Sequence, residues 1–165
     1  MNYNYKIKTK EEIAKIVITL RETNPNIRIV TTNGAFDIIH AGHIRTLQKA
    51  KSFGDVLIVG LNSDSSVREY KSSLRPIIPQ LERAEMLAAF EVVNYVVIFE
   101  ETNPIELLKL IKPNFHVKSK AGYKGFEKEI IESNGGQIIL LDDIPGFSTT
   151  KLIEKIKEVL DSEKS

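Results

Sequence analysis

The 165-residue sequence contains no cysteine. That excludes disulfides, thiolate zinc sites and cysteine nucleophiles together, and it suits a reducing compartment. Neither sign of charge is in excess: 23 Lys and Arg against 22 Asp and Glu leave a formal net charge of +1. No overall field therefore favours nucleic acid or an anionic membrane surface as partner. No apolar run approaches the ~20 residues that a membrane-spanning helix needs. The stretch Met1 to Lys10 is polar and has no signal-peptide core. Internal repeats are missing, and the one biased stretch is a polar tail, Asp161 to Ser165. These absences lead to the expectation of a soluble cytoplasmic protein with no nucleic-acid and no membrane partner. What is present is ordinary for a globular chain. Hydrophobic residues make up 42% and charged residues 27%, in a length that suits one domain with a real core.

Along the chain, Thr9-x-x-Glu12 has the form of a capping box, and Ile13, Ile16, Val17 and Leu20 follow at helical spacing. Thr23-Asn24-Pro25-Asn26 closes that helix, so residues 1–26 are expected as an N-terminal helix and linker. Residues 27–160 then alternate. Short apolar runs predict strands at Ile27 to Thr32, Val56 to Leu61, Tyr95 to Phe99, Phe115 to Lys118 and Gln137 to Leu141. Amphipathic stretches predict helices at Ile44 to Phe53, Leu81 to Phe90, Pro104 to Ile111, Phe126 to Ser133 and Thr149 to Leu160. Such alternation implies an α/β fold: one Rossmann-like domain, a five-stranded parallel sheet with helices on both faces. Ligands of these sheets bind at the carboxyl ends of the strands. The loops after Thr32, Leu61, Lys118 and Leu141 should therefore surround one cleft.

The densest motif falls in the first of those loops. It runs Thr32-Asn33-Gly34-Ala35-Phe36-Asp37-Ile38-Ile39-His40-Ala41-Gly42-His43 and opens a helix. Gly34 lets backbone approach a phosphate. His40 and His43 lie three apart at the helix start, so both rings can face one side, next to free amides that attract anions. A histidine metal site would want a third ligand, and His116 belongs to another strand, so no protein metal site is expected. Ser148-Thr149-Thr150-Lys151 offers hydroxyls, amides and a positive helix end together. The first loop lacks the Gly-x-Gly-x-x-Gly turn of a pyridine-nucleotide oxidoreductase.

On these residues the chain resembles the cytidylyltransferase-like branch of the HIGH-motif nucleotidyltransferases. The likeness continues through Gly54-Asp55, Asn62-Ser63-Asp64, Arg75-Pro76, Glu82-Arg83 and Ser148-Thr149-Thr150, and covers nearly everything from Ile29 to Ile156. Within the branch, residues 62–79 and Phe99-Glu100-Glu101 are most similar to the heptose 1-phosphate adenylyltransferases. The resemblance implies transfer of AMP from ATP to a sugar 1-phosphate, with pyrophosphate released and Mg2+ held mainly by the nucleotide phosphates. It implies His40, His43 and Lys71 as catalytic groups, Lys71 closing over the phosphates. Thr32, Asn33, Gly34, Ala35, Phe36, Asp64, Arg83, Ser148, Thr149 and Thr150 become nucleotide contacts. Asp64 alternatively caps the next helix, and Arg83 alternatively forms a structural ion pair. Lys118, Lys120 and Tyr123 become contacts to the acceptor. It also implies a homodimer, and an acceptor supplied by a separate sugar kinase.

Three departures from that pattern bear on specificity. Ala35 stands where the heptose enzymes carry cysteine, in a place where backbone does the binding. Their Lys-Gly-Gly-Asp-Tyr run is here Lys118-Ser119-Lys120-Ala121-Gly122-Tyr123-Lys124, one residue longer, without the aspartate and with an added lysine. The cytidylyltransferases' arginine ahead of the Ser-Thr-Thr run is replaced by Asp142-Asp143-Ile144-Pro145-Gly146-Phe147, which leans towards ATP. Cytidylyl transfer from CTP to glycerol or another polyol phosphate is the alternative reaction. A nucleotide-binding regulatory module without turnover is the alternative class.

Overall fold

Residues 56–62 read Val-Leu-Ile-Val-Gly-Leu-Asn, and every one of them is buried. That pattern belongs to a central parallel strand covered on both faces. In the computed structural model, which describes residues 3–143 and 149–163, this segment is β3 (Val56–Asn62). Its neighbours are β2 (Ile29–Gly34) and β4 (Tyr95–Phe99). Beyond β2 lie β5 (Phe115–Ser119) and β6 (Gln137–Leu141). Every pairing is parallel.

Among the described residues the sheet has six strands, in the order β1-β4-β3-β2-β5-β6, and not the five expected. The addition, β1 (Ile7–Lys8), pairs at the edge with Val96 and Val97 of β4. Two residues carry no readable alternation, so nothing in the sequence pattern could mark them as a strand. The first 26 residues thus supply a strand as well as a helix. That helix, α1 (Lys10–Thr23), starts with the expected capping box: Glu12 N–H donates to Thr9 Oγ1 at 3.2 Å, and Thr9 N–H donates to Glu12 Oε2 at 2.8 Å.

Helices cover both faces. On one, Ile13 and Val17 of α1 pack with Leu107 and Ile111 of α5 (Ile105–Ile111) over Ile29, Ile58, Val97 and Phe99. On the other, Leu47 and Ala50 of α2 (Ala41–Lys51) and Ala84, Leu87 and Ala88 of α4 (Gln80–Ala88) cover Val30, Leu57, Val59, Leu61 and Val117. Full burial of such side chains contributes about 1.5–3 kcal/mol each, which makes this two-sided core the main source of stability. The short α3 (Asp64–Tyr70) and α6 (Lys128–Ser133) and the terminal α7 (Thr149–Ser162) complete the order. Gly135 sits at φ +76°, the left-handed backbone expected after α6. Among the described residues, no helix is long and apolar enough to cross a membrane.

The chain runs from β2 to β3 on one side, and after β4 crosses back to β5 on the other side of β2. The strand order therefore reverses between β2 and β5, and their carboxyl ends diverge there into a crevice.

Candidate active site

A cleft of about 530 Å³ opens at that reversal. Its walls come from the ends of β2, β3 and β5, the start of α2, the segments after α3 and β4, and the first residues of α7. Of the sequence-predicted site residues, Thr32, Asn33, Gly34, Ala35, Phe36, His40, His43, Lys71, Lys118, Thr149 and Thr150 all line it. Thr149 and Thr150 are the first two residues of α7; Ser148 lies outside the described residues.

The β2–α2 loop builds the centre. Phe36 adopts φ +46°, a left-handed conformation that costs a non-glycine residue roughly 1–2 kcal/mol. The turn drops the Phe36 ring, 7% exposed, under the helix start, 5.3 Å from the His43 ring. A Cβ on Gly34 would meet that ring at 3.3 Å, so glycine keeps the backbone there close to both ring and cleft. His40 precedes α2 in extended conformation and stacks on His43 with centroids 3.9 Å apart and planes 23° from parallel.

Two stacked imidazolium ions would repel, and both rings are held towards neutrality. Burial lowers the His40 pKa. Burial, then the charges of His40 and Lys71, lower that of His43 to about 4. The His40 amide donates to His43 Nδ1 at 3.4 Å. In the neutral ring this leaves the proton on Nε2, so His43 is a hydrogen-bond donor and not a base at neutral pH. Lys71 follows α3, with Nζ 5.8 Å from the Tyr70 ring centroid. Burial and then the neighbouring Arg75 lower its pKa.

Lys118 and Asn33 span the crevice itself, Nζ donating to Oδ1 at 2.9 Å. Glu127, also on the cleft wall, faces the same ammonium at 3.7 Å, with side-chain exposures of 11% for Lys118 and 5% for Glu127. Burial lowers the Lys118 pKa while Glu127 opposes the shift. Below them His116 is fully buried, Nδ1 2.8 Å from Thr31 Oγ1, and burial takes its pKa down to about 3.

Other predicted residues stand outside the cleft wall. Arg83 is 0% exposed and lies beneath the loop. Its guanidinium donates to the carbonyl oxygens of Ala35, Asn62 (3.0 Å) and Ile78 (2.8 Å), and to the Asp64 carboxylate (2.7 Å). Asp64 is thereby an ion-pair partner, and the α3 cap is Ser63, whose Oγ accepts from Ser66 N–H. Lys120 is exposed and paired with Asp142 at 2.6 Å. Tyr123 is half-buried, between the cleft residues Gly122 and Lys124.

The structure also brings in residues that sequence reasoning missed. Asp37, in the motif but given no role, is 1% exposed and accepts four contacts from the segment before α4. The sequence offers only its apolar neighbours Phe36, Ile38 and Ile39 as a hint; the structure shows the burial, and a buried carboxylate must be paired. Thr46, Asn62, Tyr70, Thr102, Asn103 and Glu127 complete the walls. Thr46 lies in α2, Asn62 and Tyr70 end β3 and α3, Thr102 and Asn103 follow β4 and Glu127 precedes α6, so no local spacing links the set.

Comparison with known proteins follows the same boundaries. Residues 31–155 match the family described as cytidylyltransferase-like. The chain is 50% identical over 159 residues to the bifunctional protein HldE of Campylobacter jejuni, covering 96% of this chain and 33% of that one. It is 46% identical over 157 residues to the bifunctional protein HldE of Pelobacter propionicus, covering 93% and 31%. The protein of the same name from Nitratiruptor is 50% identical over 152 residues, covering 92% and 32%. The chain therefore spans about a third of the length of these curated relatives. Among solved structures, it superposes on the lipopolysaccharide core biosynthesis protein from Thermoplasma volcanium with a TM-score of 0.63 at 26% identity, covering 72% of this chain and 99% of that one. Pantoate-beta-alanine ligase from Francisella tularensis shares the fold, with a TM-score of 0.62 at 18% identity, over 94% of this chain and 78% of that one.

Proposed function

This chain belongs to the cytidylyltransferase-like family, and we propose that it transfers the adenylyl group of ATP to a sugar 1-phosphate of the heptose 1-phosphate type, releasing pyrophosphate. The observation that carries this reading is the stacked His40–His43 pair at the start of α2, in one cleft with Lys71 and the first residues of α7. The high identity to the HldE proteins over nearly the whole chain supports the adenylyl and sugar-phosphate assignment.

In this reaction an oxygen of the acceptor phosphate attacks the α-phosphorus of ATP. A new P–O bond forms, the bond from the α-phosphorus to the α–β bridging oxygen breaks, and pyrophosphate leaves with the electron pair. The nucleophile is already an anion, so no strong base is required. The barrier lies in alignment and in charge that grows on non-bridging and leaving oxygens. A neutral His43 donating through Nε2, with His40 beside it, supplies hydrogen bonds where that charge develops. Lys71 brings a cation to the same oxygens. The α7 start, with Thr149 and Thr150, takes the β- and γ-phosphates. Lys118, on the cleft wall, approaches the acceptor, and Thr32 to Phe36 line the nucleotide. Mg2+ neutralises phosphate charge when bound. Asp142 is engaged by Lys120 and Asp143 by the Ala121 amide, so the ion would be held mainly by the nucleotide phosphates, with water completing its shell.

We extend the reading to a homodimer. No side chain of α7 is buried among the described residues, and Leu152, Ile156 and Val159 stand exposed on it. Light scattering of the purified protein tests that assembly.

The activity is tested by pyrophosphate release with Mg2+, each of the four nucleoside triphosphates and a panel of sugar and polyol phosphates. Release with ATP and heptose 1-phosphate is expected, falling at least about 100-fold in His40→Ala/His43→Ala, the effect of removing preorganised donors. Release with CTP alone would overturn the nucleotide assignment. Nucleotide binding without release for any pair would overturn catalysis and leave a regulatory module.

A further inference from the structure

Residues 71–79, between α3 and α4, form a strap along the edge of the cleft, and Lys71 is its first residue. The strap has little core of its own: Leu74 is 86% exposed and Ile77 54%. Helix α3 ends just before it, with Lys71 N–H donating to the Val67 carbonyl. Among the described residues, the side-chain hydrogen bonds between the strap and the rest of the protein converge on Asp37 and Arg83. Asp37 Oδ2 accepts from Arg75 Nε at 2.6 Å, and the second guanidinium nitrogen of Arg75 lies 2.6 Å from the same oxygen. Asp37 Oδ1 accepts the amides of Ile77 at 2.8 Å and Ile78 at 3.0 Å. Arg83 Nε donates to the Ile78 carbonyl.

Asp37 belongs to the loop that ends in His40, and its side chain is 1% exposed. Both oxygens of its carboxylate are occupied by strap donors, one of them the charged Arg75 guanidinium. Charge-assisted bonds of this kind are short and directional, and they fix geometry as well as adding energy. One buried carboxylate therefore joins the loop carrying the two histidines to the segment carrying the lysine. Lys71 and His43 line the same cleft, and the Lys71 charge reaches the His43 ring.

We infer that Asp37 is a positioning residue: its carboxylate locks the strap to the β2–α2 loop, so that the Lys71 ammonium and the His40–His43 pair meet the transferring phosphate at a fixed separation. The inference rests on the nucleotidyltransferase reading above. Misplacing a reacting or charge-stabilising group by about 1 Å can cost ~100-fold in rate, so the lock acts on turnover more than on substrate binding.

The test is a pair of double-mutant cycles in the full chain. Arg75→Ala and Asp37→Asn are each made alone and in a Lys71→Ala background, and kcat, KM for ATP and melting temperature are measured. Alone, each change is expected to lower kcat about 10- to 100-fold with KM for ATP moved less than about 3-fold. In the Lys71→Ala background, the further loss should shrink below about 2-fold, since the displaced cation is already gone. Arg75 is partly exposed, so Arg75→Ala completes the cycle even if Asp37→Asn does not fold. A merely structural role would lower the melting temperature and reduce kcat by the same factor in both backgrounds, and that result overturns the inference. A Lys71→Ala enzyme as fast as the unmodified one overturns it too, because the strap would then carry nothing to position. Absence of turnover by the unmodified protein with every nucleotide defeats the reaction itself, whereas turnover with independent effects defeats only the positioning role.

Discussion

Arg83 decides between a ligand contact and an internal brace, and replacing it with methionine separates the two. The structure gives the guanidinium no exposed surface and four partners: three carbonyl oxygens and the Asp64 carboxylate. Methionine keeps much of the length and apolar stem while removing every donor. Ala35 and Asn62 are themselves buried, so their carbonyls lose partners where water cannot replace them, at about 1–3 kcal/mol each. The Asp64 side chain is 26% exposed and can be partly rehydrated, which moderates its share. Relief from burying the arginine charge offsets part of the loss. Breaking a buried pair by removing one partner costs about 3–5 kcal/mol overall. Against a total of about 5–15 kcal/mol for a domain, that is a large fraction. At ~2–4 °C per kcal/mol for a chain of this size, Arg83→Met should melt about 6–20 °C lower. Urea unfolding should give the same loss with an unchanged m-value. Lysine should rescue little, because a single ammonium cannot span a fork of carbonyls and carboxylate. If Arg83→Met stays within about 1 kcal/mol of the parent and loses only ATP affinity, the brace is refuted and the residue contacts the nucleotide.

Two further predictions concern charge. His43 titrates at about 4 in the fold against an ordinary 6.5, so on acidification the unfolded chain takes the proton first. Stability should fall as pH drops below 6.5, the His43 share being lost by about pH 4 and that of His116 by about pH 3, and His43→Gln should remove up to one proton from the slope between 6.5 and 4, read by urea unfolding across the range; an unchanged slope would refute the assignment. Lys118→Met should cost about 3–5 kcal/mol by stranding Glu127, and adding Glu127→Leu should recover much of it; a double variant as unstable as the sum of the singles would show that the pair is not coupled.

The parts of this protein legible in its sequence are those whose physics is local. The capping box at Thr9 and Glu12 formed as read, because both partners lie within one turn. The apolar runs became strands because a parallel sheet buried on both faces leaves an unbroken hydrophobic signature, as in β3. Boundaries moved where tertiary contacts decide them: Pro104 stands just outside α5, with the Asn103 carboxamide accepting from Ile105 N–H, and α6 starts at Lys128 in place of Phe126. The histidine pair was legible for the same reason as the cap, since spacing of three at a helix start places both rings together. Asp37 and Arg83 were not. Asp37 meets Arg75 and Ile77 across nearly forty positions of chain, and the carbonyls that Arg83 binds come from the ends of two strands and a strap. No periodicity encodes such meetings; they follow from the sheet order, which brings the ends of β2 and β3 side by side. That division has a consequence for specificity. On the proposed reading, the histidines and threonines that handle phosphate sit at helix starts, where local sequence dictates geometry, whereas the residues assigned to the acceptor belong to the β5–α6 loop and to the Lys118–Asn33–Glu127 contact across the crevice. Among the described residues, the hydrogen bonds that shape the β2–α2 turn come from Arg75, Ile77, Ile78 and Arg83 and none from Ser119 to Lys124, so altering that loop is expected to change the acceptor assigned to it while leaving the proposed reaction intact.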